Sequence, residues 1–72
     1  MDVDIRAFLV DNWGNPDKVT ALLQAYGHKE VRRAAINQWF RRGRIPTEWG
    51  MRLILLAELE SGATLSLRKY LI

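Results

Sequence analysis

Basic and amide side chains are concentrated in the middle of the 72-residue chain. Six of its 11 basic residues lie between positions 29 and 44, where Glu30 is the only acidic residue; they are Lys29, Arg32, Arg33, Arg41, Arg42 and Arg44. Asn37 and Gln38 fall within the same stretch. Arginine can donate two hydrogen bonds to guanine, and asparagine or glutamine can pair with adenine, in the major groove of DNA. Because local charge sets the attraction for phosphates, this segment is typical of a surface that binds a polyanion.

Few residues of the chain could catalyse a reaction or bind a metal ion. There is no cysteine to act as a nucleophile or as a thiolate ligand, and His28 is the only histidine. No second ligand stands at metal-binding spacing from His28, and there is no glycine motif that could hold a phosphate. We therefore expect neither an enzyme nor a protein that binds a metal, a cofactor or a small molecule.

Length and composition predict one folded domain over residues 1–72. Hydrophobic residues make up 49% of the chain and charged residues 26%, which is typical of a globular domain. The longest purely apolar run, residues 53–57, is far shorter than the roughly 20 residues that a helix needs to cross a bilayer. Asp2 and Asp4 stand where a secretory signal would carry positive charge. We expect a cytoplasmic protein that makes no contact with a membrane.

Two helices are predicted before the basic segment. Ile5, Phe8 and Leu9 recur at helical spacing after two aspartates, either of which can act as N-cap, and this predicts a helix over residues 3–12. Asn15 offers a capping oxygen and Pro16 suits the first helical position. A second helix is therefore expected to run to about residue 26, where the glycine at position 27 can end it.

A third helix is predicted over residues 31–42, with a start as early as residue 29. Its apolar side collects Val31, Ala35, Ile36, Trp39 and Phe40. Its opposite side carries Arg33, Ala34, Asn37 and Arg41, with Gln38 at the border. Gly43 and Pro46 end the helix.

A fourth helix is predicted over residues 48–61, with Thr47 as its N-cap and Gly62 as its stop. Its apolar residues leave almost no polar face, so we expect one flank to meet the core and the other to meet a second copy of the chain. Within residues 48–72, the expected dimer contacts are Met51, Ile54, Leu55, Leu59, Leu67 and Tyr70. The tail, residues 63–72, fits either a strand or a short helix, and we favour the helix.

Two stretches resemble a known family. Ala35-Ile36-Asn37-Gln38-Trp39, followed by Arg42-Gly43-Arg44-Ile45-Pro46, is similar to the recognition helix and exit loop of Cro-type phage regulators and their repressor relatives. The resemblance covers residues 17–61. It implies a lambda-repressor-like, all-α bundle of four to five helices containing a helix-turn-helix, from a bacterium or a phage.

The resemblance also implies roles for individual residues. The base-reading positions fall on Arg32, Arg33, Ala34, Asn37 and Gln38, and the buried positions fall on Val31, Ile36 and Trp39. Lys29, Arg41, Arg42 and Arg44 are expected to contact phosphates. We therefore expect a homodimeric repressor that binds a pseudo-palindromic operator in double-stranded DNA.

The chain departs from the family between the second and third helices, and a second function stays open. His28-Lys29-Glu30 are about three extra residues, which either lengthen the loop or add nearly a turn to the third helix. The alternative function is a protein-interaction module, such as an antitoxin or a phage adaptor, that uses the apolar helix 48–61 and the tail. Sequence preference for one duplex separates the two hypotheses, because an adaptor should have none.

Overall fold

The computed structural model describes residues 3–71 and contains four α-helices. They are α1 (Ile5–Asn12), α2 (Pro16–Ala25), α3 (Arg33–Arg42) and α4 (Thr47–Ser61), followed by one 3₁₀ turn (Arg68–Tyr70). Over these residues there is no strand, and an isolated antiparallel bridge joins Val3 to Leu71. The predicted all-α fold is confirmed.

The first two helices begin where local capping directs them. The carboxylate of Asp4 accepts a hydrogen bond from the Ala7 N–H at 3.1 Å, and the side chain of Asn15 accepts one from the Lys18 N–H at 3.1 Å. Each bond satisfies one of the free N–H groups of a helix N-terminus. Asp4 is thus the N-cap of α1, while the other expected candidate, Asp2, lies outside the described residues.

The extra residues between α2 and α3 lengthen the connection. Gly27 adopts a φ of +84°, and the His28 N–H donates to the Leu23 carbonyl at 2.8 Å, which completes a Schellman motif at the end of α2. The chain then stays non-helical until Arg32, which is extended and serves as the N-cap of α3. The expected start of this helix at residue 29 or 31 is therefore wrong, because the turn at Gly27 redirects the backbone first. Val31 precedes the helix and packs, half-buried, against the core.

The N-terminus of α4 lies one residue earlier than expected. Thr47 is the first helical residue, and Pro46 occupies the N-cap position, where its carbonyl accepts the Gly50 N–H at 2.9 Å. The expectation that the Thr47 side chain caps the helix is wrong, since Thr47 already belongs to it. At the other end, Gly62 with a φ of +70° closes α4 as predicted.

All four helices contribute to one hydrophobic core. The fully buried side chains are Leu9 of α1, Val19 and Leu23 of α2, Ile36 of α3 and Leu53 of α4. α3 packs against both α1 and α2. The buried side of α3 is therefore packed against α1 and α2.

The tail is mostly irregular. The Leu65 N–H donates to the Glu58 carboxylate at 2.8 Å, and Leu65 and Leu67 pack half-buried against the core. Tyr70 is buried against Phe8, with the two rings edge to face at 5.7 Å, and its carbonyl accepts the Asp4 N–H at 2.6 Å. The favoured tail helix is therefore wrong apart from the 3₁₀ turn, because the tail instead pairs with the start of α1. Residue 72 of the expected helix lies outside the described part of the chain.

A hydrogen bond links the end of α2 to α4. The hydroxyl of Tyr26 donates to the Glu60 carboxylate at 3.0 Å. This hydrogen bond raises the pKa of Tyr26 above its ordinary value, and slight desolvation and the negative charge of Glu60 act in the same direction.

Across residues 3–71, none of the helices combines the length and the apolar character needed to cross a membrane.

Candidate nucleic-acid interface

One side of α3 is anchored in the core. Ile36 and Trp39 are buried, Phe40 is half-buried, and the Trp39 ring lies 6.4 Å from that of Trp49. These positions, spaced by three, four and one, mark the inner side of the helix. Ala35 was expected on this side but is exposed. It lies one turn before Trp39, and because a turn has 3.6 residues it is rotated further from Ile36 than Trp39 is and faces the solvent.

The opposite side of α3 presents polar side chains to solvent. Ala34, Gln38 and Arg41 recur at i, i+4 and i+7 and are all exposed. Arg33 and Arg42 are exposed on either flank, and Arg32 is exposed immediately before the helix. Asn37 differs from the rest because it is half-buried at the border with the inner side. The five expected base-reading residues thus lie either at the N-terminal end of α3 or along its outer part, and Asn37 is the least accessible of them.

Arg33 is held by an acidic residue of the neighbouring helix. Its Nη2 atom lies 2.6 Å from Oδ1 of Asp17, and the side chains of Arg33 and Asp17 are 62% and 67% exposed. Asp17 belongs to the first turn of α2 and Arg33 to the first turn of α3. A carboxylate in the first turn of a helix is favoured by the helix dipole, but no local pattern in the sequence reveals a contact between Asp17 and a residue as far away as Arg33.

The expected phosphate contacts occupy two places. Arg41, Arg42 and Arg44 are exposed at the end of α3 and in the connection to α4. Arg42 and Arg44 line a shallow groove of about 350 Å³ beside Gln38 and Pro46. Lys29 is exposed on the loop between α2 and α3. Lys29 is therefore not at a helix N-terminus, contrary to the reading in which α3 begins at residue 29.

Arg6 secures the far end of α3. Its Nε donates to the Phe40 carbonyl at 3.0 Å, and its Nη2 donates to the Arg41 carbonyl. Gly43, with a φ of +68°, ends the helix beside the Arg6 side chain. A cation is favoured at the negative end of the helix dipole, so Arg6 satisfies two free carbonyls and fixes α1 against α3. The sequence gives no local signal for this residue, because its partners lie in another helix.

The aromatic residues next to α3 form packing contacts. The rings of Trp49 and His28 are perpendicular, with their centres 5.5 Å apart, and the guanidinium of Arg52 lies 4.6 Å from the centre of the Trp49 ring. Nδ1 of His28 lies 3.6 Å from the Glu30 carboxylate. Trp49, a residue of α4, therefore links this helix to the loop before α3.

Within the part of the chain that the structure describes, no group of three His, Cys, Asp or Glu side chains could hold a metal ion.

Three large apolar side chains project from α4. Met51, Leu55 and Leu59 are 63%, 59% and 68% exposed and recur every four residues, so they form one strip, here named the α4 ridge. Of the other expected dimer contacts, Ile54 and Leu67 are half-buried against the core. Tyr70 is only 3% exposed. Its assignment to a dimer surface is wrong, because Phe8 and the start of α1 already cover it.

Comparison with known proteins adds no relative. No family model matches the chain, and no curated protein and no solved structure is significantly similar to it. Function is therefore inferred from this chain's own residues and their positions.

Proposed function

We propose that the chain is a helix-turn-helix protein of the Cro type that binds double-stranded DNA in a sequence-specific way and acts as a repressor. α2 and α3 form the motif, and α3 enters the major groove. One observation carries the proposal: α3 is anchored on one side by Ile36 and Trp39, while Ala34 and Gln38 on its other side and Arg33 in its first turn are exposed to solvent. A major groove admits one α-helix, and such a helix needs a fixed inner side and a free polar outer side.

The outer side supplies the chemistry of base recognition. Gln38 can pair with the N6 and N7 positions of adenine, and Arg33 can donate to O6 and N7 of guanine. Ala34, exposed between them, offers a methyl group of a size that packs on the methyl of thymine. Arg32, just before the helix, and the half-buried Asn37 would reach the edges of the same site.

The cationic residues around α3 supply affinity without sequence information. Arg41, Arg42 and Arg44 flank the end of the helix, and Lys29 lies on the loop at its start. Cationic side chains at both margins would place positive charge against the phosphates on either side of the groove. Bound over a promoter, the protein would then exclude RNA polymerase by occupancy.

The α4 ridge is proposed as the homodimer contact. Met51, Leu55 and Leu59 form an apolar strip on a helix whose other side already packs on the core. Burying this strip against its copy removes apolar surface from water, which drives association. A two-fold dimer would present two copies of α3 to a pseudo-palindromic operator, about 34 Å apart along the duplex.

Selection of binding sites from a random duplex library tests the DNA proposal. We expect the selected duplex to bind about 4–10 kcal/mol more tightly than an unrelated one. Arg33→Ala and Gln38→Ala should each relax the preference at one base position, at a cost of about 1–3 kcal/mol. Arg44→Ala is the matched control: it should weaken binding to all duplexes and lower the salt slope by about one. An unchanged base preference in both Arg33→Ala and Gln38→Ala would refute the assignment of these reading residues.

Sedimentation without DNA tests the dimer. We expect a dimer at micromolar concentration and a monomer for Leu55→Glu, which places a charge in the middle of the α4 ridge. Val10→Glu changes an exposed apolar residue of α1 and should leave the dimer intact. A monomeric wild-type protein would contradict the proposed contact.

The same ridge favours one second candidate function, that of a protein-interaction module such as an antitoxin or a phage adaptor. An exposed apolar strip on α4 could equally pack against a different protein. The two functions differ in their response to the library selection. A pure adaptor would enrich no sequence, and its modest binding to all duplexes would vanish with added salt.

A further inference from the structure

We propose that Asp17 determines DNA selectivity by holding the guanidinium of Arg33 and withdrawing it from non-specific phosphate contacts. This inference rests on the proposed function, because it concerns how α3 distinguishes one duplex from another. Asp17 belongs to α2, and its negative charge by itself repels DNA.

The contact between Asp17 and Arg33 connects the first turn of α2 to the first turn of α3. A single short contact, 2.6 Å between Nη2 of Arg33 and Oδ1 of Asp17, brings the charged groups together. A guanidinium has five N–H donors in one plane, so this contact leaves donors free on the same group. Arg33 can therefore stay beside Asp17 while it offers other N–H groups to the O6 and N7 atoms of a guanine.

The ion pair between Arg33 and Asp17 adds little to the stability of the fold. Both side chains are well exposed, at 62% and 67%. Exposed pairs of this kind contribute little to the free energy of unfolding because water and salt screen them. Such a pair can also rearrange readily, so its effect on DNA binding depends on which acceptor Arg33 finds in each complex.

Asp17 makes the two kinds of complex unequal. On an unrelated duplex, a phosphate that accepts from Arg33 must either share the guanidinium with Asp17, whose negative charge repels it, or displace Asp17, whose bare carboxylate would then face a dense row of negative charges. On the matching duplex, guanine accepts from the free N–H groups, and the carboxylate stays neutralised. The carboxylate thus weakens non-specific binding more than specific binding, and the ratio of the two affinities increases.

Asp17→Asn is the decisive variant, because asparagine keeps the size of the side chain and removes its charge. A phosphate contact that releases one counterion changes affinity by about fivefold at a salt concentration of about 150 mM. We therefore expect Asp17→Asn to bind a scrambled duplex about fivefold more tightly, with a salt slope steeper by about one per protomer. Affinity for the selected duplex should change by less than about twofold, so selectivity falls about fivefold.

Three further variants show whether the effect passes through Arg33. Asp11→Asn removes another exposed carboxylate, in α1, and should match the wild type in selectivity and salt slope. Asp17→Glu restores the charge and should recover most of the selectivity. In an Arg33→Ala background, Asp17→Asn should no longer change selectivity, because the group that it releases is missing. Far-UV circular dichroism at the assay temperature establishes that each variant is folded.

The outcomes separate this inference from the proposed function. If Asp17→Asn and Asp11→Asn give the same selectivity and slope while the wild type prefers its selected duplex, the role of Asp17 is refuted and the function stands. An equal loss of selectivity from Asp17→Asn with and without Arg33 refutes it as well. If the wild type prefers no duplex, the proposed function fails and this inference fails with it.

Discussion

Replacing Arg6 by alanine should loosen the end of α3. The change removes the hydrogen bonds from Nε to the Phe40 carbonyl and from Nη2 to the Arg41 carbonyl, together with a positive charge at the negative end of the helix dipole. Buried charge-assisted bonds contribute about 1.5–3 kcal/mol each, but these bonds are exposed and therefore weaker. A cation near a helix C-terminus adds about 0.3–1 kcal/mol. We expect a total loss of about 1–2 kcal/mol in the free energy of unfolding.

That loss is large for so short a chain. At about 0.05–0.15 kcal/mol per residue, the whole protein has a free energy of unfolding of roughly 4–11 kcal/mol. For domains of this size, each kcal/mol changes Tm by about 4–8 °C. Urea unfolding and a thermal melt should therefore show Arg6→Ala with a lower midpoint in both, and with Tm reduced by about 4–16 °C.

Two controls define what the experiment measures. Arg41→Ala removes an exposed guanidinium from the same turn of α3 without removing a hydrogen bond to the backbone, and should cost only the dipole contribution of about 0.3–1 kcal/mol. Arg6→Lys keeps the charge but loses the planar fork, so its midpoint should lie between those of wild type and Arg6→Ala. If Arg6→Ala were as stable as Arg41→Ala, the two backbone bonds would not secure α3 in solution.

The remaining predictions concern the core, a helix end and one titrating group. Leu53→Ala removes a fully buried side chain and should cost about 2.7–5.0 kcal/mol in a urea titration; a loss below about 1 kcal/mol would show that the core closes around the gap. Gly43→Ala places a side chain at a φ of +68° and should cost about 1 kcal/mol in the same assay, with an unchanged midpoint as the contrary result. The pKa of Tyr26 is raised in the folded state, so the stability that its proton provides is present below about pH 10 and is lost as pH rises through the raised value. Urea midpoints from pH 8 to 11 should therefore fall more steeply for wild type than for Tyr26→Phe, and parallel curves would contradict the role of the bond to Glu60.

Elements whose limits are set by nearby residues could be predicted from the sequence. Asn15 and Pro16 define the start of α2, and the glycines at positions 43 and 62 define the ends of α3 and α4. In each case the cap lies within one turn of the backbone group that it serves. The all-α class and the exposed side of α3 follow from the same short-range information.

Most of the parts that could not be predicted depend on contacts between residues far apart in the sequence. The start of α3 at Arg33 is the exception, because the Schellman turn at Gly27 that directs the chain away from a helix is itself local. Tyr70 is buried because the tail returns to α1, which no period in residues 63–72 indicates. Arg6 and Asp17 likewise meet their partners only after folding, so their types alone did not mark them as part of the candidate site.

The contacts around α3 have a consequence for DNA binding. The helix is held at its end by Arg6 and on its inner side by the buried Ile36 and Trp39. Its backbone is therefore ordered before any duplex arrives, and association needs to immobilise only side chains, at about 0.5–1.5 kcal/mol for each flexible one. Ala34 has no side-chain rotamers to lose, so a contact between its methyl group and a thymine would cost almost no ordering. Discrimination at that base then depends on the fit of the groove against the backbone of α3. The bonds from Arg6 to the end of α3 therefore bear on base reading, although they lie outside its middle turns.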